Sequence, residues 1–382
     1  MEFSFEQGPI RPPSEARSLL IRVTRNCPWN KCAFCHSYRN AKFSLRSVMD
    51  IKQDIQTMKK VTDEIHALSW KLGEGGHVSG KVADAVWQQG WHYDDSFRSI
   101  AAWLYYGGES IFLQDANSLI LKTEDLVDIL SYLKGTFPSI KRITSYCRSN
   151  TAARKSAEEF RQLRDAGLSR IHIGMESGCD PLLKFIRKGT TAAEHIEGGR
   201  KIVDAGISLS EYVIPGLGGI KWSKEHAEET ARVINRINPE FVRLRSLHIA
   251  QDTDLYEMLQ KGAFTPLGDE GVLHELRRFI ELLDGIETTL VSDHMLNLLE
   301  EVGGKLPAEK GKMLALIDRY FALSSQDRLI FRLGRRKGIY RSLDDLEETQ
   351  SYMRMKKIVE EYASKEPGRL EQDLERMTRM YI

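Results

Sequence analysis

Leu19-Leu20-Ile21-Arg22-Val23-Thr24-Arg25-Asn26-Cys27-Pro28-Trp29-Asn30-Lys31-Cys32-Ala33-Phe34-Cys35-His36 joins an apolar run to three closely spaced cysteines. The run Leu19–Thr24 is rich in Leu, Ile and Val, as a buried strand of a parallel sheet should be. The cysteines then fall on the loop leaving that strand. In open α/β sheets the chemistry gathers at the carboxyl ends of the strands, so the loop stands where a site is expected. Three thiolates packed this closely suit one iron–sulfur cluster, and because they are three rather than four they leave one iron open to another ligand.

Outward from this stretch the pattern repeats. Strand-like runs occur at Ser110–Gln114, Lys141–Cys147, Ser169–Met175, Ile207–Ile214 and Phe241–Leu247, separated by amphipathic segments such as the stripe Leu126, Ile129, Leu130 and Leu133. Ser156 with Glu159 and Thr191 with Glu194 have capping-box spacing and mark helix starts. Six alternations of strand and helix require right-handed crossovers and a parallel sheet. The expected fold class is α/β, a partial (β/α)6 TIM-like barrel over residues 15–285. A long insertion after strand 1, residues 66–109, carries Trp87, Trp91 and Trp103, and a helical C-terminal appendage covers 286–382. Within it, Met313–Ala322 and Leu343–Glu361 read as helices.

The bulk numbers bound the rest. The chain has 382 residues and a formal charge of +1, so no overall field draws it to nucleic acid or anionic lipid. There is no secretory signal pattern and no run of eighteen apolar residues, which makes a cytoplasmic protein without a membrane span the expectation. Five cysteines in such a chain argue for metal or catalytic use rather than a disulfide framework.

Residue by residue, the cysteine stretch resembles the radical S-adenosylmethionine (SAM) enzymes. Their three cysteines, usually Cys-x3-Cys-x2-Cys after the first barrel strand, hold a [4Fe–4S] cluster whose fourth iron chelates SAM. Here the first gap is four residues, Pro28–Lys31, which lengthens the loop by one. The resemblance implies Cys27, Cys32 and Cys35 as cluster ligands and Phe34 as the ring near the SAM adenine. Gly174-Met175-Glu176-Ser177-Gly178 is similar to the family's Gly-x-Glu-Ser-Gly segment, which implies a SAM contact for Glu176. Val213–Gly219 resembles the segment that backs the adenine, which implies a role for Gly216. Gly107-Gly108-Glu109 copies the family's GGE motif but precedes its strand, so the equivalent position falls at Asp115. Arg148, ending the third strand, either touches the SAM carboxylate or forms an ordinary salt bridge.

Other readings of the same residues compete. Cys32-Ala33-Phe34-Cys35-His36 satisfies a c-type haem attachment pattern, but that chemistry needs export. A zinc site of Cys27, Cys32, Cys35 and His36 is chemically permissible, although no second Cys-x-x-Cys accompanies it. Cys147 reads as a core residue. Cys179 and His294 are the candidates for a catalytic role, each set against a plainer one: an inert thiol, and a turn at Ser292-Asp293-His294. His172 shares strand parity with Glu176 and reads as a hydrogen-bonded core histidine. Arg243 and Arg245 share a face and suit either a substrate carboxylate or neighbouring acids. Gly75–Val82 nearly spells a phosphate loop, but lacks the Ser/Thr after Lys81 and a preceding strand.

The resemblance therefore implies an enzyme that uses SAM and a [4Fe–4S] cluster to abstract hydrogen, fed by a flavodoxin- or ferredoxin-type electron donor. A small-molecule substrate is expected, because no RNA-binding fold or basic stretch is evident. Fewer than twenty residues precede the first strand, so a cobalamin domain ahead of it is not expected. The alternatives are an RNA-modifying radical SAM enzyme and a non-enzymatic, haem-chaperone-like iron–sulfur protein.

Overall fold

Leu19 and Ile21 are buried while Leu20 and Arg22 are half-buried, the alternation that makes Leu19–Arg22 a strand, β1. The computed structural model describes residues 3–88, 95–365 and 368–380, so Trp91 lies outside the described residues. After β1 come a short antiparallel pair, β2 (Thr24–Arg25) and β3 (Ser44–Leu45), then helices α1 (Val48–Lys71), α2 (Gly80–Gln88) and α3 (Asp95–Tyr105). β4 (Ser110–Gln114), α4 (Thr123–Thr136), β5 (Arg142–Cys147), α5 (Ser149–Arg154), α6 (Ala157–Ala166) and β6 (Leu168–Glu176) follow. Next are α7 (Asp180–Phe185), α8 (Ala192–Asp204), β7 (Ser208–Val213), α9 (Gly219–Ile237) and β8 (Phe241–Leu244). Then come α10 (Asp254–Gln260), α11 (Asp269–Leu282), β9 (Thr289–Val291) and β10 (Gly304–Lys305), and finally α12 (Lys310–Ala322), α13 (Ser325–Arg336), α14 (Thr349–Lys365) and α15 (Arg369–Met380).

The chain forms two compact bodies. One takes the chain up to Asn30, Ser37–Ile173 and Lys201–Leu209, and the other Lys31–His36, Gly174–Arg200 and the chain from Ser210 on. In the first body β1, β4, β5 and β6 lie side by side and parallel, with Ile21 opposite Leu113, Ile111 opposite Ile143 and Ser145 opposite Ile171. Ile51, Ile55 and Met58 bury one face of α1, which packs on α3 and α4. The described parts of the 66–109 insertion are mainly helical and packed into this body: Val82, Val86, Phe97, Ile100 and Trp103 are buried, and Trp103 Nε1 donates to Ser110 O at 2.9 Å. Its first residues simply continue α1, which runs unbroken to Lys71.

In the second body β7, β8 and β9 are parallel and β10 adds antiparallel to β9. Helix α9 packs on α11, α11 on α12, and α13 on α14 and α15, which is the helical C-terminal region the sequence led us to expect. Both anticipated capping boxes form. Ser156 and Glu159 exchange side-chain and backbone hydrogen bonds, as do Thr191 and Glu194. The α/β class holds, with six strands where the runs placed them. β9 extends the parallel array beyond residue 285, where the strand signal fades, because three residues are too few to show an alternation. Among the described residues no helix is long and apolar enough to cross a membrane.

Candidate functional site

The cysteine loop starts in the first body, where Asp115 organises it. Asp115 follows β4 and is fully buried. Its Oδ2 accepts from Arg22 Nε (2.9 Å) and from the backbone N–H of Asn26 (3.1 Å), and its Oδ1 accepts from Tyr38 Oη at 2.9 Å. Arg22 also pairs with Glu6 at 3.0 Å. Burial, with Asp115 beside it, pushes the Tyr38 phenol far above its ordinary range, so Tyr38 stays a donor. Asn26 and Asn30 both adopt positive φ, a backbone region that asparagine tolerates. Their side chains donate to Lys42 O and Tyr38 O, each at 2.6 Å, and the Asn30 N–H points at Cys27 Sγ, 3.4 Å away. Cys27 is thus held by a loop braced on both sides. Arg148, at the N-terminus of α5, lays its guanidinium over Trp29 at 5.1 Å.

The Gly107–Glu109 tripeptide lies in the turn before β4, and Glu109 pairs with Lys141 at 2.6 Å. It stands at the amino end of the strand, away from the end that carries Asp115. His172 is a buried core residue 3.5 Å from Glu15.

In the second body the remaining cysteines sit on a segment pinned by backbone bonds. Ala33 N donates to Ile186 O and Leu255 N to Ala33 O, both at 2.8 Å, and Cys35 N closes a turn on Cys32 O. Phe34, like Phe185 and Leu247, packs against the buried cluster of Cys179, Leu182, Ile186, Ile214 and Leu217, with Lys188 Nζ 5.9 Å from its ring centre. Lys188 donates to Glu176 Oε1 at 2.9 Å. Glu176 itself has φ +63°, and a Cβ on Gly174 would stand 2.2 Å from Glu176 Oε1. A side chain in place of the first glycine of the segment would therefore push the glutamate carboxylate aside. The last, Gly178, is required by the approach of Glu229 O, 2.5 Å from where its Cβ would be. Glu211 on β7 is fully buried; burial, and the charge of Glu176, keep it protonated well above the ordinary carboxylate range. Gly216, at φ +84°, donates its N–H to Glu275 Oε1 at 2.6 Å.

The other candidates fall into place less centrally. Cys179 is buried with Leu182, Ile186, Ile214 and Leu217, and burial raises its thiol, which suits a core residue. Cys147 is buried in β5. Arg243 and Arg245 both pair with Asp293, Arg243 at 2.8 Å, so neighbouring acid and not an open face takes the arginine pair. His294 Nδ1 lies 3.2 Å from Ser246 Oγ; burial and Arg245 lower its pKa to about 4. A cavity of about 160 Å³ in this body is lined by Gly216, Leu244, Arg245, Leu247, His248 and Ile249 among others, and the His248 ring is 6.2 Å from that of His36, next to Cys35. Arg22, Tyr38, Lys188, His226 and Glu275 were not anticipated. Arg22 had a signal, a charge inside an apolar strand, whereas Tyr38 and Lys188 had none.

The donor set fits a cluster. Cys27, Cys32 and Cys35 are half-buried and in no disulfide, while Cys147 and Cys179 are buried elsewhere. Among the described residues no three His, Cys, Asp or Glu side chains are arranged to hold a single metal ion. A cluster asks for something else, each thiolate on its own iron.

The radical SAM superfamily model matches residues 21–234, and the chain belongs to that superfamily. It is an enzyme, and its cofactors are a [4Fe–4S] cluster and SAM. Among curated proteins it is 24% identical over 285 residues to the tRNA uridine(34) acetyltransferase of Methanocaldococcus jannaschii, covering 69% of this chain and 48% of that protein. The protein of the same name from Methanocaldococcus infernus is 27% identical over 121 residues, covering 30% of this chain and 22% of that one. The chain thus spans about half the length, or less, of these relatives. Among solved structures, coproporphyrinogen III oxidase from Escherichia coli aligns over 96% of this chain and 90% of its own, with a TM-score of 0.45 and 10% identity.

Proposed function

We propose that Cys27, Cys32 and Cys35 ligate the cluster and that the chain cleaves SAM reductively to oxidise or rearrange a substrate by hydrogen abstraction. The observation that carries this reading is the triad itself, three accessible thiols within residues 27–35 on a loop that Asp115 anchors at Asn26. Held by Cys27, Cys32 and Cys35, the cluster would supply one-electron reduction of SAM. The chain's own residues bind and orient. Glu176, its Oε1 held by Lys188, offers its carboxylate to SAM, Phe34 and Gly216 flank the adenine, and Arg148, stacked on Trp29, is the candidate partner of the SAM carboxylate. Asp115, with both oxygens committed to Arg22, Asn26 and Tyr38, braces the loop. The electron donor is of flavodoxin or ferredoxin type. Family membership displaces the non-enzymatic alternative.

For the substrate, the match to tRNA uridine(34) acetyltransferases favours an RNA base and weighs against the small molecule expected from composition. With a formal charge of +1, no overall field of the chain draws RNA to it, so binding would depend on local groups of basic residues. The acetyl-transfer activity in those names does not transfer with a match to half their length. The test is anaerobic: reconstituted protein, dithionite and SAM, with or without bulk tRNA, read as 5′-deoxyadenosine. Cleavage that tRNA stimulates and that Cys27→Ala abolishes supports the reading. Unchanged cleavage by Cys27→Ala contradicts the ligand assignment, and indifference to tRNA returns the substrate to small molecules.

A further inference from the structure

A continuous buried run of side chains in the second body joins the two segments proposed to hold SAM. Ser177 Oγ and His226 Nδ1 are 2.8 Å apart, and Ser177 Oγ accepts the Cys179 N–H at 3.0 Å. Thr230 Oγ1 lies 3.2 Å from the same imidazole nitrogen and accepts the Gly178 N–H at 2.9 Å. On the other side of the ring, Nε2 is 3.0 Å from Ile214 O and 3.6 Å from Glu275 Oε1. Ile214 O can only accept, so Nε2 carries a proton and donates. Glu275 Oε1 then accepts the Gly216 N–H at 2.6 Å. Ser177, Thr230, His226 and Glu275 are all buried.

This arrangement is costly for a merely structural contact. Burial raises the carboxyl of Glu275, against the pull of His226 and the Gly216 N–H, so holding an acid there opposes folding. A leucine on α11 would fill the same space beside Leu276 and Phe279. What the acid provides is an acceptor for the N–H of Gly216, which lies at φ +84° beyond the end of β7. We infer that Glu275, acting through His226, is a positioning residue that sets the spacing between Gly174–Gly178 and Val213–Gly219 and thereby the affinity for SAM. The inference rests on the reading that these segments hold SAM, and Glu275 lies outside the stretch that the superfamily model matches.

The experiment uses the full reconstituted chain under anaerobic conditions and reads SAM affinity by equilibrium dialysis, iron content, thermal midpoint and amide exchange across residues 213–219. Glu275→Leu weakens SAM binding by about tenfold or more, the scale of one lost hydrogen bond to a charged group, and speeds exchange at 213–219. Iron content and midpoint stay near wild type, and Glu275→Gln, which keeps an acceptor oxygen, restores most of the affinity. Should the leucine variant not fold, His226→Gln, which breaks the link to Ser177, carries the same prediction. Wild-type affinity in Glu275→Leu or in His226→Gln overturns the inference. Glu176→Gln separates the two claims: if it too leaves SAM binding unchanged, the assignment of these segments to SAM falls and the inference with it.

Discussion

Asp115→Asn tests whether the aspartate braces the cluster loop or touches SAM, as the family's motif at this position would have it. The substitution preserves shape but removes a buried charge that accepts from Arg22, Asn26 and Tyr38 at 2.9–3.1 Å. Arg22 and the Asn26 N–H can only donate, so the amide turns its oxygen to them and its nitrogen to Tyr38, whose hydroxyl can accept; what is lost is the buried negative charge. Hydrogen bonds to charged groups contribute about 1.5–3 kcal/mol each, and breaking a buried ion pair costs about 3–5 kcal/mol. Arg22 keeps Glu6 at 3.0 Å, which places the expected loss toward the lower part of that range, about 2–4 kcal/mol. The assay pairs thermal melting with iron content after anaerobic reconstitution and with SAM affinity of whatever cluster-loaded fraction remains. The midpoint drops by several degrees, iron retention falls because a neutral amide oxygen holds Asn26, the residue before Cys27, less firmly than the carboxylate does, and the loaded fraction binds SAM normally. A variant that keeps its iron and its midpoint but loses SAM affinity would refute the bracing role.

Gly174→Ala places a methyl carbon 2.2 Å from Glu176 Oε1, so the glutamate must leave Lys188; SAM affinity should fall while iron content holds, and equal affinity would contradict the close approach. Asp293→Ala leaves the buried Arg243 and the half-buried Arg245 without their shared acid, which should cost about 2–4 kcal/mol in denaturant unfolding; a double variant that also replaces Arg245 should recover part of that loss. His294, with its pKa lowered to about 4 from 6.5, binds more protons unfolded than folded between these values. Stability should therefore fall as pH drops through that window, and His294→Asn should flatten this part of the profile. An unchanged pH slope in the variant would show that His294 is not held neutral.

Much of the framework was legible in the sequence because buried parallel strands announce themselves as apolar runs, and six of them were placed to within a few residues. β9 was not, since Thr289-Leu290-Val291 is shorter than any period it could display. The three cysteines were legible because thiols spaced this closely have few uses. The position of Asp115 followed from topology, since it stands just past β4, but its engagement did not: Arg22, Asn26 and Tyr38 come from a distant stretch, and nothing local says that both oxygens are spent. Glu275 carried a faint signal, a carboxylate beside the stripe Leu273, Leu276, Phe279 and Ile280 on α11, where an uncompensated charge would be unfavourable. The arginine pair shows the limit of strand parity, which put Arg243 and Arg245 on one face but could not show that Asp293 occupies it.

The central claim is that three thiolates hold a cubane with one iron left for SAM. Iron-57 Mössbauer spectra of the anaerobically reconstituted chain, taken with and without SAM, test it directly. The account predicts a [4Fe–4S] spectrum in which a single iron site shifts on adding SAM, and loss of that cluster in Cys27→Ala, Cys32→Ala and Cys35→Ala but not in Cys147→Ala or Cys179→Ala. A spectrum indifferent to SAM, or a cluster that survives loss of any one of the three, would contradict it.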